Sequence, residues 1–149
     1  MAEIRHRVGI DATPAKVYEA LATTDGISKW WARRLDGDAS QGGALNFYFG
    51  GPQPGAVMEV AAAVPGERVS WRCVQGPQDW VGTRIDFEIR AGDEETVLLF
   101  AHEDWPESVE FMSHCSTKWG YYLIGLKSLL EGGVGTPYPD DLSLSKVWH

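Results

Sequence analysis

Positive charge is scarce in this chain. Its 149 residues carry 13 Lys and Arg against 21 Asp and Glu, for a formal net charge of −8, and the densest basic cluster is the pair Arg33-Arg34. Binding driven by nucleic-acid phosphates or by an anionic membrane surface is therefore disfavoured, and neither is expected as a partner. Cysteine is nearly absent. Cys73 and Cys115 lie far apart, and two free thiols in a reducing cytosol suit them better than a disulfide. No run of about 18 apolar residues exists to span a membrane. The opening Met-Ala-Glu-Ile-Arg-His-Arg lacks the apolar stretch of a signal peptide. A soluble, cytoplasmic protein is the expectation. Catalytic signatures are missing too: there is no Gly-x-Ser-x-Gly elbow, His-Glu-x-x-His zinc motif, phosphate loop or dinucleotide fingerprint. His114 and Cys115 are adjacent, and adjacent helical residues point about 100° apart, so they do not form a nucleophilic pair. His102, His114 and Cys115 have no metal-ligand spacing. No metal and no cofactor is expected.

Tryptophan, by contrast, is plentiful at seven residues. A chain of this length buries roughly 70% of its unfolded surface, and nothing in the composition marks a second domain. Residues 1–135 read as one domain and 136–149, with Pro137, Pro139 and Asp140-Asp141, as a C-terminal tail. Ile4, Val8 and Ile10 alternate with polar residues as in a half-buried strand. Thr13-Pro14 opens a helix, with Thr13 as cap and Pro14 at the first position, where its missing N–H is harmless. Val17 and Leu21 give this helix its buried face. Asp25-Gly26 caps a second short helix ending near Trp30-Trp31.

Beyond Arg33 the period becomes two. The inward sets are Leu45, Phe47, Phe49; Met58, Val60, Ala62, Val64; Val69, Trp71, Cys73; Thr83, Ile85, Phe87, Ile89; and Leu98, Phe100, His102. Pro65-Gly66 and Ala91-Gly92-Asp93-Glu94 supply turns. From Glu107 to Glu131 the period returns to that of a helix, about 36 Å long at 1.5 Å per residue. Asp104 and Glu107 form a capping box at its start, and Gly132-Gly133 ends it. Met112, Cys115, Trp119, Tyr122, Leu126 and Leu130 lie on one face. The expected class is α+β, in the order β-α-α-β-β-β-β-β-β-α: a bent antiparallel sheet of six to seven strands around one long C-terminal helix. The space between them is either packed or hollow.

The stretch Ile10 to Leu21 with Thr13-Pro14, the following Trp30-Trp31, the strand-end His102, and Trp119, Leu123, Leu126 and Leu130 before Gly132 together resemble a known family. It comprises the single-domain homologues of the activator of the Hsp90 ATPase, within the START and Bet v 1-like (SRPBCC) helix-grip superfamily. The resemblance covers roughly residues 4 to 133. It implies a helix-grip fold that often holds a hydrophobic ligand between sheet and helix, and an Hsp90-type chaperone as an alternative partner. One departure stands out: Lys118 occupies the place before the helix Trp where the family usually has glycine. A larger side chain there either narrows a cavity mouth or points to water.

The candidate ligand-binding residues are Trp30, Phe47, Phe49, Met58, Trp71, Trp80, Phe87, Phe100, His102, Met112, Cys115, Trp119 and Tyr122. Any one of the aromatics reads first as core filler, together they would line a pocket well, and Met58 and Met112 fit either reading. Of Trp30 and Trp31, one anchors the second helix and the other faces the cavity entrance. Trp80, in a Gly- and Pro-containing loop, reads as a lid or a partner contact. His102 is a satisfied structural histidine, a ligand contact or an acid–base group. The leading reading is a non-enzymatic binder of a small hydrophobic or aromatic molecule, its polar end oriented by His102, Tyr122 and the Trp119 indole. The rivals are a co-chaperone-like interaction module and a cavity-based cyclase or hydrolase.

Overall fold

The computed structural model describes residues 2–149. In chain order the elements are β1 (Ala2–Ile10), α1 (Pro14–Ala22), α2 (Thr24–Ile27), β2 (Leu35–Gly37), β3 (Ala44–Phe47), β4 (Ala56–Val64), β5 (Arg68–Gln75), a turn of 3₁₀ helix (Gln78–Trp80), β6 (Arg84–Ala91), β7 (Thr96–Trp105) and α3 (Glu110–Leu130). The strands form one seven-stranded antiparallel sheet in the order β1-β7-β6-β5-β4-β3-β2. Short hairpins join β2 through β7, while α1 and α2 carry the chain from one sheet edge to the other. This is the expected α+β helix-grip architecture and element order.

Local chemistry explains most boundaries. The Thr13 hydroxyl accepts the Lys16 amide at 3.3 Å, with Pro14 at the first helical position. Val17 and Leu21 are fully buried. The Pro65-Gly66 turn closes with the Glu67 amide donating to the Val64 carbonyl at 2.9 Å. Gly66 sits there at φ +73°, where glycine carries no Cβ penalty. Gly132, at φ +96°, ends α3.

Four expectations need correction. The second helix is capped by Thr23, whose hydroxyl accepts the Gly26 amide at 2.9 Å, and it ends at Ile27, before the tryptophan pair. Phe49 lies outside β3 and is only half-buried. β4 is bulged between Val60 and Ala62, so the alternation slips and Val64 is exposed at its end. The capping box does not form. Asp104 belongs to β7 at φ +69°, and α3 starts at Glu110 after Val109, without a side-chain cap. The reason lies in β7. Ile4 faces His102 while Ala2 faces Trp105, so β7 holds one extra residue there. That bulge turns Trp105 inward beside His102, and both are fully buried. Burying an indole outweighs a capping box worth about 1 kcal/mol.

The concave side of the sheet is filled with rings. Phe47, Trp71, Phe87 and Phe100 from four strands pack against Trp30, Trp31 and Trp119, all 2% exposed or less. Trp30 is the anchor: its indole N–H donates to the Ala20 carbonyl at 2.8 Å and ties α1 to the segment after α2.

Candidate ligand-binding site

On α3, residues 115, 118, 119 and 122 follow helical spacing and share a buried face. Trp119 is its centre. Its ring lies 5.0 Å from that of Trp31 and stacks at 6.1 Å on Trp80, which the 3₁₀ turn brings inward. The Trp119 indole donates to Nδ1 of His102 at 3.2 Å. The His102 Nε2 lies 2.8 Å from the Thr83 hydroxyl, and that hydroxyl donates onward to the Trp80 carbonyl at 2.6 Å. Because the Thr83 proton is already committed, its oxygen accepts from Nε2–H. The ring is therefore the neutral Nε2–H tautomer. Burial lowers its pKa to about 3, since a charged imidazolium has no solvent there. This chain of four groups fastens the Trp80 loop to the helix through the end of β7.

An open cavity of about 340 Å³ remains at this end of the fold. Its walls are Trp31, Phe49, Gly55, Ala56, Pro77 and Trp80 on the loop side, and Phe111, His114, Cys115, Lys118, Trp119 and Tyr122 from the first half of α3. The C-terminal residues Val147, Trp148 and His149 complete its rim. The segment from Tyr138 onward is thus docked against the domain. The Tyr138 amide donates to the Trp31 carbonyl at 2.8 Å, and the Arg33 amide donates back to the Tyr138 carbonyl at 3.0 Å. Lys118 Nζ meets Asp141 Oδ2 at 2.5 Å, with side chains 8% and 5% exposed. The Tyr122 hydroxyl donates to the same oxygen at 2.5 Å. Burial pushes the Asp141 carboxyl upward, but the Lys118 and Tyr122 hydrogen bonds and the ammonium charge together outweigh it, and the net shift is downward. Burial, reinforced by Asp141, raises the pKa of Tyr122.

Five of the sequence-predicted residues meet at this cavity: Phe49, Trp80, Cys115, Trp119 and Tyr122. Phe47, Met58, Trp71, Phe87 and Phe100 fill the core beneath it, and Trp30 braces the helices. Met112 is partly buried against that core. His102 is 0% exposed, behind Trp119. Of the tryptophan pair, Trp31 is the one facing the cavity. Phe111, His114, Trp148 and His149 were not among the candidates. Phe111 and His114 carry a faint signal, each one residue from Met112 or Cys115 at the same three-residue spacing. Trp148 carries none beyond being a tryptophan in a polar tail. The cavity is almost entirely apolar, and neither cysteine is poised as a nucleophile. Burial raises the Cys115 thiol to about 12, against a smaller opposing effect of the Trp80 indole, and the Cys73 thiol to about 11. Among the described residues no group of three or more His, Cys, Asp or Glu is placed to hold a metal. No helix of the described residues is long and apolar enough to cross a membrane.

A bent sheet gripping one helix, with a cavity at their junction, defines the helix-grip class, whose members commonly bind hydrophobic ligands. The family model "Activator of Hsp90 ATPase homolog 1-like protein" matches residues 11–131, and the chain belongs to that family. The Aha1 of Colwellia psychrerythraea, solved in solution as a dimer, is 39% identical, with a TM-score of 0.81 over 89% of this chain and 98% of that one. CalU16 of Micromonospora echinospora shares the fold at 20% identity, with a TM-score of 0.76 over 96% and 76% of the two chains. An AHSA1-like protein of Rhizobium etli shares it at 19% identity, with a TM-score of 0.69 over 99% and 93%. A comparison with curated proteins finds no significant match.

Proposed function

We propose that this protein binds a small, flat, apolar or aromatic molecule in the cavity between α3 and the Trp80 loop, at whose rim the C-terminal segment sits. The observation that carries this reading is the 340 Å³ space walled by the rings of Trp31, Phe49, Trp80, Phe111 and Trp119. That volume lies at the small end of the roughly 300–1,000 Å³ typical of ligand pockets and suits one or two fused rings. The groups expected to orient a polar end are already engaged. The Trp119 indole serves His102, and the Tyr122 hydroxyl serves Asp141. Ring faces, rather than these hydrogen bonds, would recognise the ligand.

Native mass spectrometry of freshly purified protein, followed by a thermal-shift screen of aromatic compounds, tests the reading. A true ligand at 100 times its Kd adds about 2.7 kcal/mol of stability, and Cys115→Phe, which fills the cavity from α3, abolishes that gain. Absence of any co-purifying molecule together with no stabilising compound would reject it.

A second reading, an Hsp90-directed interaction module, is favoured by family membership and by the likeness to Aha1. An Hsp90 ATPase assay decides it, and no stimulation at micromolar protein would remove it. An acid–base enzyme centred on His102 lacks support, because that ring is sealed, neutral and bonded at both nitrogens.

A further inference from the structure

The C-terminal segment touches the domain at two separate places. The first is a latch formed by the Tyr138 backbone bonds, by Asp141 on Lys118 and Tyr122, and by the Leu142 amide donating to the Tyr121 hydroxyl at 3.1 Å. The second is a plug. The Trp148 ring lies 5.4 Å from both Phe111 and His114, and the His149 ring lies 5.0 Å from Phe49. Between them, among the described residues, the Ser143 and Ser145 hydroxyls bond only within the segment itself, to Ser145, Val147 and Trp148. Ser143 and Lys146 are exposed and Leu144 is 37% exposed, so the connecting stretch is held by little. The plug is an indole and an imidazole resting on the rings that wall the cavity.

We propose that residues 138–149 are a built-in competitor: Asp141 latches the segment onto Lys118, and Trp148 occupies the mouth of the aromatic cavity as an internal ligand that an external planar aromatic must displace. This rests on the reading of the cavity as a ligand site. Lys118 is what makes the latch possible. A glycine at that place on α3 would leave Asp141 with no cation, and an ammonium as buried as this one requires an acidic partner. The apparent affinity of the cavity is its intrinsic affinity reduced by the fraction of molecules with the plug withdrawn. Loosening the plug therefore tightens external binding without adding a contact.

Free indole, the side chain of the plug itself, is the probe. It is titrated into isotope-labelled full-length wild type, Trp148→Ala and Asp141→Asn, following amide shifts around the cavity. Hydrogen exchange of the Arg33, Tyr138 and Leu142 amides reports the latch in the same samples. Trp148→Ala should bind indole about fivefold or more tighter with its latch amides still protected. Asp141→Asn should lose latch protection by tenfold or more and also bind more tightly. Unchanged or weaker indole binding by a folded Trp148→Ala makes Trp148 a wall of the site and overturns the proposal, leaving the cavity reading intact. Undiminished latch protection in Asp141→Asn overturns the assignment of Asp141. Should Asp141→Asn not fold, Trp148→Ala alone decides. No indole bound by any variant, with the segment released, removes both the proposal and the reading beneath it.

Discussion

The buried His102 makes the stability of this protein depend on pH in a way that can be worked out from its surroundings. Its ring is 0% exposed, and burial lowers its pKa from 6.5 to about 3. Both nitrogens are committed: Nε2–H to Thr83 and Nδ1 as acceptor from the Trp119 indole. A second proton would place N–H against N–H. Well above pH 6.5 neither the folded nor the unfolded chain protonates this group, and it contributes no pH dependence. Below pH 6.5 the unfolded chain binds a proton that the folded chain refuses, so stability falls as pH falls, down to about 3. Between pH 7 and pH 5 the loss from this one residue comes to about 2 kcal/mol. Urea unfolding of wild type and His102→Gln at the two pH values isolates it, because the other histidines and the carboxylates are common to both proteins. The variant should be less stable throughout but lose about 2 kcal/mol less between pH 7 and pH 5. Ring-nitrogen NMR should find the Nε2–H tautomer unchanged across that range. Superimposable pH profiles, or a His102 that titrates near 6.5, would refute the argument that the ring is sealed and neutral.

Three further outcomes follow from the same site. Trp119→Phe keeps most of the ring but leaves the buried Nδ1 of His102 without its donor, and should cost about 1–3 kcal/mol in chemical denaturation. In a double-mutant cycle, Lys118→Met with Asp141→Leu should cost roughly 0.5–3 kcal/mol less than the sum of the two single changes, because each single change strands a buried charge that the double change removes; additive costs would show that the pair is not coupled. The Asp141 carboxyl is held below its ordinary range, because the bonds from Lys118 and Tyr122 and the ammonium charge outweigh the opposing effect of burial. Its contribution is therefore complete above about pH 4 and lost only as pH falls through the lowered value, so the Leu142 and Tyr138 amides should stay protected from exchange at pH 5.

Much of the fold was legible because its signals are local. Thr13-Pro14 announces a helix start through atoms within four residues, and the Thr83-Ile85-Phe87-Ile89 alternation needs only the pleat of one strand. What escaped depended on distant partners. Asp104 and Glu107 have capping-box spacing, yet Trp105 has a place opposite Ala2 in the core, and that tertiary demand extends β7. β2, three residues of Leu-Asp-Gly, has too little alternation to declare itself. The bulges in β4 and β7 reverse a face, and nothing in a period-two count marks where they fall. The site was legible only by class. Alternation marks Phe47, Trp71, Phe87 and Phe100 as inward but does not show that their rings interlock and close the deep space. The remaining cavity therefore lies nearer the first half of α3, around Trp31 and Trp119.

Lys118 shows how far one residue can carry such an argument. It falls at three residues from Cys115 and four from Tyr122, on the face that the apolar stripe commits to burial. A lysine there either snorkels to water or finds an acid. Its neighbours on the buried face of α3 are Cys115, Trp119 and Tyr122, and none of them is a carboxylate. The charge must then be answered from another element. Asp140-Asp141 is the acidic pair of the segment after α3, and Asp141 is the residue that meets Lys118, with Tyr122 donating to the same oxygen. Asp140 instead pairs with Arg33 beside the tryptophan pair. Two neighbouring acids thus bind cations from two different elements, one on α3 and one after α2, and the Tyr138 backbone bonds to Trp31 and Arg33 hold the same segment. A segment held in this manner is docked to the domain by mutual need, because the buried lysine needs its acid as much as the segment needs the lysine.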